Sequence, residues 1–203
     1  MVEKGGAEHT VFRVGEVHGV VTKRVEELVS MFSAIDSSKA TTNLWGERWS
    51  KLCQNGMHNG VSAATGLPGR ECVRNDVLRR FSIKLGGEAV RVGQALGYQL
   101  VNLGKLVPER LALASEGNRD ALVEIEDLMM SREAKNPRGG TQRPSTAQDM
   151  RKGRRTEIQF MNGFIAEKGR FVGVPAPAHE KLTETVTRVE RGEITPAAAN
   201  LGG

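Results

Sequence analysis

Lys51, Asn55 and Asn59 stand four residues apart in this 203-residue sequence. On an α-helix, at about 100° per residue, they would share an arc of about 80°. Ser62 returns to the same stripe and His58 borders it, whereas Trp45, Trp49, Leu52, Cys53 and Met57 fall mostly on other faces. Gly56 and Gly60 also lie off the stripe and would let a neighbouring helix come close. The plain alternative is a solvent-facing stripe. Such stripes prefer Glu, Lys, Arg and Gln, the better helix formers. Two Asn, a His and a Ser are mediocre formers, so hydrogen bonds to a ligand account for them better. A single ammonium among neutral amides is suited to presenting a proton to a substrate oxygen.

Glu157 opens a second constellation. Met161 and Phe164 share its helical stripe at i+4 and i+7. A carboxylate on an apolar stripe is costly to bury unless paired or hydrogen-bonded. The competing reading is a first-turn acid favoured by the helix dipole, with Arg154 or Arg155 as its partner. Ser145 follows a Pro/Gly-rich loop, where its hydroxyl suits a helix cap or, with its N–H, an anion at the helix start.

Other chemistries lack their residues. No GxGxxG turn or Walker lysine loop occurs, and Gly15 and Gly19 are spaced wrongly for one. His9, His18, His58 and His179 form no HxxxH pair, so no metal site is expected. Cys53 and Cys72 are too few for a disulfide scaffold, and Cys53 reads as a buried structural thiol. The net charge of +5 permits an anionic partner, but the basic residues are dispersed and the Arg151–Arg155 cluster has no aromatic until Phe160. A nucleic-acid groove through that cluster is the weakest of the functional readings. No apolar run approaches a membrane span and no signal peptide is read, so a cytoplasmic protein with reduced thiols is expected.

These groups need elements to hold them. From Leu44 onward the pattern is helical, with helices expected at about 44–63, 72–97, 107–117, 119–136, 156–169 and 178–191. Leu67-Pro-Gly-Arg70 should separate the first two, and Gly86-Gly87 should kink the second. Residues 136–144 read as a loop, Pro175-Ala-Pro177 as a break, and the tail from Asn200 as frayed. Residues 1–43 read differently: a strand at His9–Val14, a helix carrying Val25, Leu28, Val29 and Phe32, then a short strand at Lys39–Asn43. Apolar residues make up 38% of the chain, enough for a core in the helical part; the first 43 residues carry too little for their own. Their strands and apolar helix face should therefore need cover, most simply from a second copy.

Taken in order, several motifs resemble one family. Lys51-x3-Asn55-x3-Asn59, the run from Glu88 to Ala95-Leu-Gly97, Ser145 with Gln148-Asp149, Gly153-Arg-Arg-Thr-Glu157-Ile, Asn162-Gly163 and Gly173-Val-Pro-Ala-Pro177 are similar to the C-terminal domain of the ketopantoate reductases (2-dehydropantoate 2-reductases). Each motif alone is weak; their order and spacing from about residue 8 to 191 are specific. The resemblance implies a mainly α fold: a helical domain of the 6-phosphogluconate dehydrogenase-like type over 44–203. Residues 1–43 would be a short α/β remnant of the end of a Rossmann domain.

By the same resemblance Lys51 is the general acid, Asn55, Asn59 and Ser145 bind substrate, and Glu157 is the cofactor-binding residue, where substrate and nicotinamide ribose meet. Glu88 matches a family glutamate. The implied activity is NADPH-dependent reduction of a small 2-oxo acid, ketopantoate or a close analogue, by a homodimer without metal. NADPH would be bound mainly by a Rossmann domain that this chain lacks, so the chain reads as truncated and inactive alone. A non-enzymatic helical association module is the alternative. Two departures stand out. The stretch from Gly69 to Ser145 is long and holds an extra helix around Asn118–Lys135. Gly69 also falls near a substrate-binding Asn of compact members, which opens the door to another 2-oxo acid.

Overall fold

The structure is a computed structural model that describes residues 11–134 and 144–202. The chain divides into two compact units, residues 1–48 and 49–203. The expected loop at 136–144 and the beginning of the first strand lie mostly outside the described residues.

In the first unit, β1 (Phe12–Val14) pairs in parallel with β2 (Ser38–Ala40), Phe12 opposite Ser38 and Val14 opposite Ala40. Helix α1 (Lys23–Ser33) makes the crossover. The second strand thus starts one residue earlier than expected and ends before Thr41. Thr22 caps α1 by accepting from the Val25 N–H, and it donates to Glu16 at 2.8 Å. The Phe12 and Phe32 rings stack at 4.9 Å, and Val25 is buried, while Val17, Val20, Met31 and Ile35 remain exposed.

The long helix α2 (Leu44–Thr65) runs into the second unit. There α3 (Gly69–Arg74), α4 (Asp76–Ala95), α5 (Pro108–Ser115), α6 (Arg119–Ala134), α7 (Ser145–Arg151), α8 (Phe164–Val172) and α9 (Pro177–Glu190) follow. The sequence suggested one helix over 72–97. The chain instead breaks at Asn75, whose Oδ1 accepts from the Leu78 N–H and caps α4. Helix α4 runs on through Gly86 and Gly87, the site of the expected kink. Their lack of a Cβ serves packing: one on Gly86 would lie 2.7 Å from Leu111 of α5 and from Met57 of α2, and one on Gly87 would strike Ser115. The helix expected at 156–169 contains a π-helical turn, Gln159–Gly163, before α8. Among the described residues of the tail, expected to fray, Leu201 is instead 2% exposed and belongs to the cluster of Val61, Leu78 and Leu182.

Helix α2 runs through the core of this unit. Trp49, Cys53 and Met57 pack with Ile83, Leu111, Ile125 and Ile165; Val61 and Ala64 pack with Leu85, Ile158 and Leu182. The Trp49 indole donates to Ala89 O at 2.9 Å, which fixes α2 to α4. Trp45 departs from the expected packed face: it is exposed, and its indole donates to Val17 O within the first unit. The extra helix expected around 118–135 is α6. It is anchored by Glu126, which bonds the nearly buried Arg79 of α4. Among the described residues no helix is long and apolar enough to cross a membrane.

Candidate functional site

Lys51 is exposed on α2, and Asn55 and Asn59 are half-buried, so the three do lie on one helix and outside its packed side. Ser62 leaves the stripe expected of it. It is fully buried, and its hydroxyl donates to Leu67 O, closing the turn after α2. The two glycines fix where the stripe runs. A Cβ on Gly60 would lie 2.8 Å from Leu182 of α9 and 2.9 Å from Ile158, and one on Gly56 would lie 3.3 Å from Ile165 of α8. Asn55 and Asn59 each immediately precede one of these glycines, so the stripe borders the contact of α2 with α8 and α9.

Glu157 immediately precedes Ile158, the residue that touches Gly60. Glu157 and Asn59 are thus each next in sequence to a residue of the same helix contact. Glu157 is exposed, so the burial cost anticipated for it does not arise, although Met161 one turn on is buried. Its observed partner is Ser145, whose hydroxyl donates to Oε1 in a long bond of 3.5 Å. Ser145 does not cap its helix; Pro144 holds the cap position of α7 without a side-chain bond. The structure thus brings Ser145 to Glu157 and sets Glu157 near the Asn59 end of the stripe.

A buried network lies beneath this surface. The Asn162 amide Nδ2 donates to Gly56 O and to His179 Nδ1, both at 3.0 Å, and His179 Nε2 bonds Leu85 O at 2.8 Å. A carbonyl can only accept, so the imidazole carries its proton on Nε2. Burial holds its pKa down to about 4, keeping the ring neutral. Asn162 Oδ1 has no partner among the described residues. Glu88 supports the same corner: its carboxylate accepts from the Ala178 N–H through both oxygens and from the His179 N–H, capping α9. Desolvation raises the pKa of Glu88 above the ordinary carboxylate value. Sequence patterns gave no sign of the Asn162–His179 pair, whose partners lie 17 residues apart or more. For Glu88 only the family match marked the position.

Cys53 is fully buried, and burial pushes its thiol up to about 12, consistent with an inert packing role. No cluster of His, Cys, Asp or Glu among the described residues could hold a metal. A cavity of about 190 Å³ opens beside α2, lined by His58, Val61, Val73, Ser82, Leu128 and Met129 among others; none of the five expected site residues lines it.

Residues 43–190 match the family model described as ketopantoate reductase PanE/ApbA, C terminal. A 2-dehydropantoate 2-reductase of Archaeoglobus fulgidus is 26% identical over 180 residues, 88% of this chain and 52% of the relative. The chain thus spans about half the length of the curated relatives it matches. Among solved structures, a PanE/ApbA family ketopantoate reductase from Ralstonia eutropha superposes with a TM-score of 0.66 at 24% identity, over 91% of this chain and 53% of the other. A D-mandelate dehydrogenase solved with NADH and anilino(oxo)acetate gives a TM-score of 0.70 at 20% identity, over 89% and 66%. These structural likenesses bear on the fold. The helical unit is that of the C-terminal domain of this fold.

Proposed function

The chain belongs to the ketopantoate reductase family, an oxidoreductase family, and from that premise we propose that it is the substrate-binding and dimerisation part of an NADPH-dependent reductase of 2-oxo acids. Ketopantoate, reduced to pantoate, or a close analogue is the substrate. What supports this reading is that Lys51, Asn55 and Asn59 share one side of α2, and that Ser145 bonds Glu157, the neighbour of the Ile158 that packs on Gly60.

NADPH, when bound, supplies the hydride. The Lys51 ammonium stabilises the negative charge that develops on the former carbonyl oxygen and donates the proton that makes it a hydroxyl. Asn55 and Asn59 orient carboxylate and hydroxyl groups without adding charge, and Ser145 adds a hydroxyl contact. Glu157 is an exposed acceptor bonded to one hydroxyl already, which suits it to a ribose hydroxyl. The described residues do not suit a pyrophosphate. Glu16 places a carboxylate at the N-terminus of α1, where a phosphate would need to sit, and a Cβ on Gly15 would meet Thr41 O at 2.6 Å. These 203 residues alone are therefore expected to give no steady turnover of 2-oxo acids with NADPH. A homodimer in the cytoplasm completes the proposal, with the exposed Val17, Val20, Met31 and Ile35 as apolar surface needing cover.

The test is a titration of the purified chain with ketopantoate, followed by the side-chain amide resonances of Asn55 and Asn59. Both should shift, and Lys51→Ala should weaken binding about tenfold or more. Shifts confined to other residues, or indifference to Lys51→Ala, would overturn the assignment.

A further inference from the structure

A cleft of about 610 Å³ lies between the loop that follows α7 and the last turn of α9, and none of Lys51, Asn55, Asn59, Ser145 and Glu157 lines it. Arg154 and Arg155 of the loop line it, as does Arg191, the residue that ends α9. The sequence offered Glu157 as a partner for Arg154 or Arg155, but Glu157 bonds Ser145 instead. All three arginines are exposed, and the Arg154 and Arg155 guanidiniums have no partner among the described residues.

The charge balance of the lining is positive. Three guanidiniums face the one carboxylate of Glu190, which leaves two positive charges. Glu190 is already engaged: it accepts from the Thr156 N–H at 2.6 Å and so ties α9 to the loop. Glu193, outside the lining, is shared between Arg188 at 3.5 Å and Arg191 at 3.7 Å, and holds neither closely. The C-terminal end of α9 adds a partial negative charge, which Arg191 at that end offsets. Like charges gathered in a cleft raise the local concentration of anions.

Charge and size together say which anion. One arginine fork satisfies a carboxylate, so three exceed it. A phosphomonoester carries a charge of about −1.5 to −2 and three acceptor oxygens, which matches the lining. Inorganic phosphate by itself would leave most of the space empty, since a cavity of about 150 Å³ already holds a benzene ring. The neutral lining suits a hydroxylated remainder. Gln159 Nε2 donates to Thr187 Oγ1 at 3.1 Å, and the Thr187 hydroxyl donates to Thr183 O at 2.8 Å. Gln159 Oε1 accepts no hydrogen bond among the described residues and is open to a ligand hydroxyl. Met150, Val189 and Pro196 supply an apolar wall for carbon atoms.

We propose that this cleft is a second binding site, which takes the phosphomonoester of a small hydroxylated molecule. Its phosphate sits among Arg154, Arg155 and Arg191, and a hydroxyl donates to Gln159 Oε1. The site stands independently of the 2-oxo acid reading.

The test is calorimetric titration of the full chain, at fixed ionic strength, with ribose 5-phosphate, adenosine 5′-monophosphate, inorganic phosphate and ribose. Both esters should bind about tenfold or more tighter than phosphate, and ribose should not bind. The tighter ester identifies a sugar phosphate or a nucleotide as the occupant. Arg155→Gln and Arg191→Gln should each weaken the esters about tenfold, because each removes a charge-assisted hydrogen bond. Arg151→Gln, an exposed neighbour outside the lining, should cost about threefold or less, since salt screens it. Gln159→Met should narrow the advantage of the esters over phosphate. The proposal is overturned by esters no tighter than phosphate, by equal losses at Arg151 and Arg155, or by displacement of the esters with ketopantoate. A short RNA that binds tighter than both esters, with its loss spread evenly over Arg151 to Arg155, would make the cluster a nucleic-acid surface instead.

Discussion

Asn162 and Asn59 are the same side chain in opposite surroundings within one helical unit. Asn162 is fully buried, with its amide shared between Gly56 O and the His179 ring, and that ring is bonded in turn to Leu85 O. It ties together α2, α4, α9 and the π-helical turn. Asn59 is half-buried and lies along the margin of the same helix contact, on the stripe that includes the exposed Lys51. The inner set has its hydrogen bonds committed to the fold. The outer set leaves the packing to Gly56 and Gly60, and its polar groups face outwards. The difference teaches that polar residue type alone does not say whether a side chain is committed to the fold; burial and partner do.

The comparison breaks most readily at Asn162. Asn162→Ala leaves the Gly56 carbonyl and His179 Nδ1 without their donor inside the core, and each lost buried partner costs about 1–3 kcal/mol. A loss of about 2–4 kcal/mol in urea unfolding is expected. A loss within experimental error would show that the network does not hold the fold.

His179 gives the next largest effect, through pH. Its folded pKa is about 4, against an ordinary value of 6.5. The unfolded chain therefore takes up the proton first, and the stability present above pH 6.5 is lost as pH falls towards 4, by about 3 kcal/mol in all. Glu88 acts the other way: with its pKa raised by burial, it favours the folded state as pH falls towards its ordinary value of 4.5. Thermal unfolding across pH 7 to 4 should show a net decline, and His179→Gln should remove the histidine part of that slope.

Gly60 tests the boundary between the two sets. A valine there would press on Leu182 and Ile158, and overpacking of this kind costs about 1–3 kcal/mol. Because Asn59 and Glu157 adjoin these contacts, Gly60→Val should also weaken ketopantoate binding. Lys51→Ala marks the other extreme. The side chain is exposed, so stability should move by about 0.5 kcal/mol or less, while ketopantoate binding weakens about tenfold or more. A large stability change at Lys51 would erase the contrast between the two sets.

Much of this was legible in the sequence for definite reasons. Helical periodicity located α2, α5, α6 and α9 to within a few residues, and the strand–helix–strand order of the first unit was readable from Phe12, the Val25–Phe32 repeat and Lys39. The break at Asn75 was missed because an Asn cap inside a long amphipathic run does not disturb the apolar period. Ser62 was misplaced because wheel geometry assigns a face but not what covers it. For the same reason nothing local showed that Gly86 and Gly87 admit α5 and Met57.

The sequence by itself determined that Lys51, Asn55 and Asn59 share one face of one helix, because four-residue spacing and helical pitch allow little else. The ordered motifs also determined the family. Only the tertiary structure decided which polar residues are committed inside, since the His179 ring is held by a carbonyl 94 residues away and the Asn162 amide by one 106 residues away. It also decided that Ser145 meets Glu157, and that α6 closes a cavity against α2, α3 and α4. Those outcomes depend on desolvation and close packing between distant segments, which no local pattern encodes.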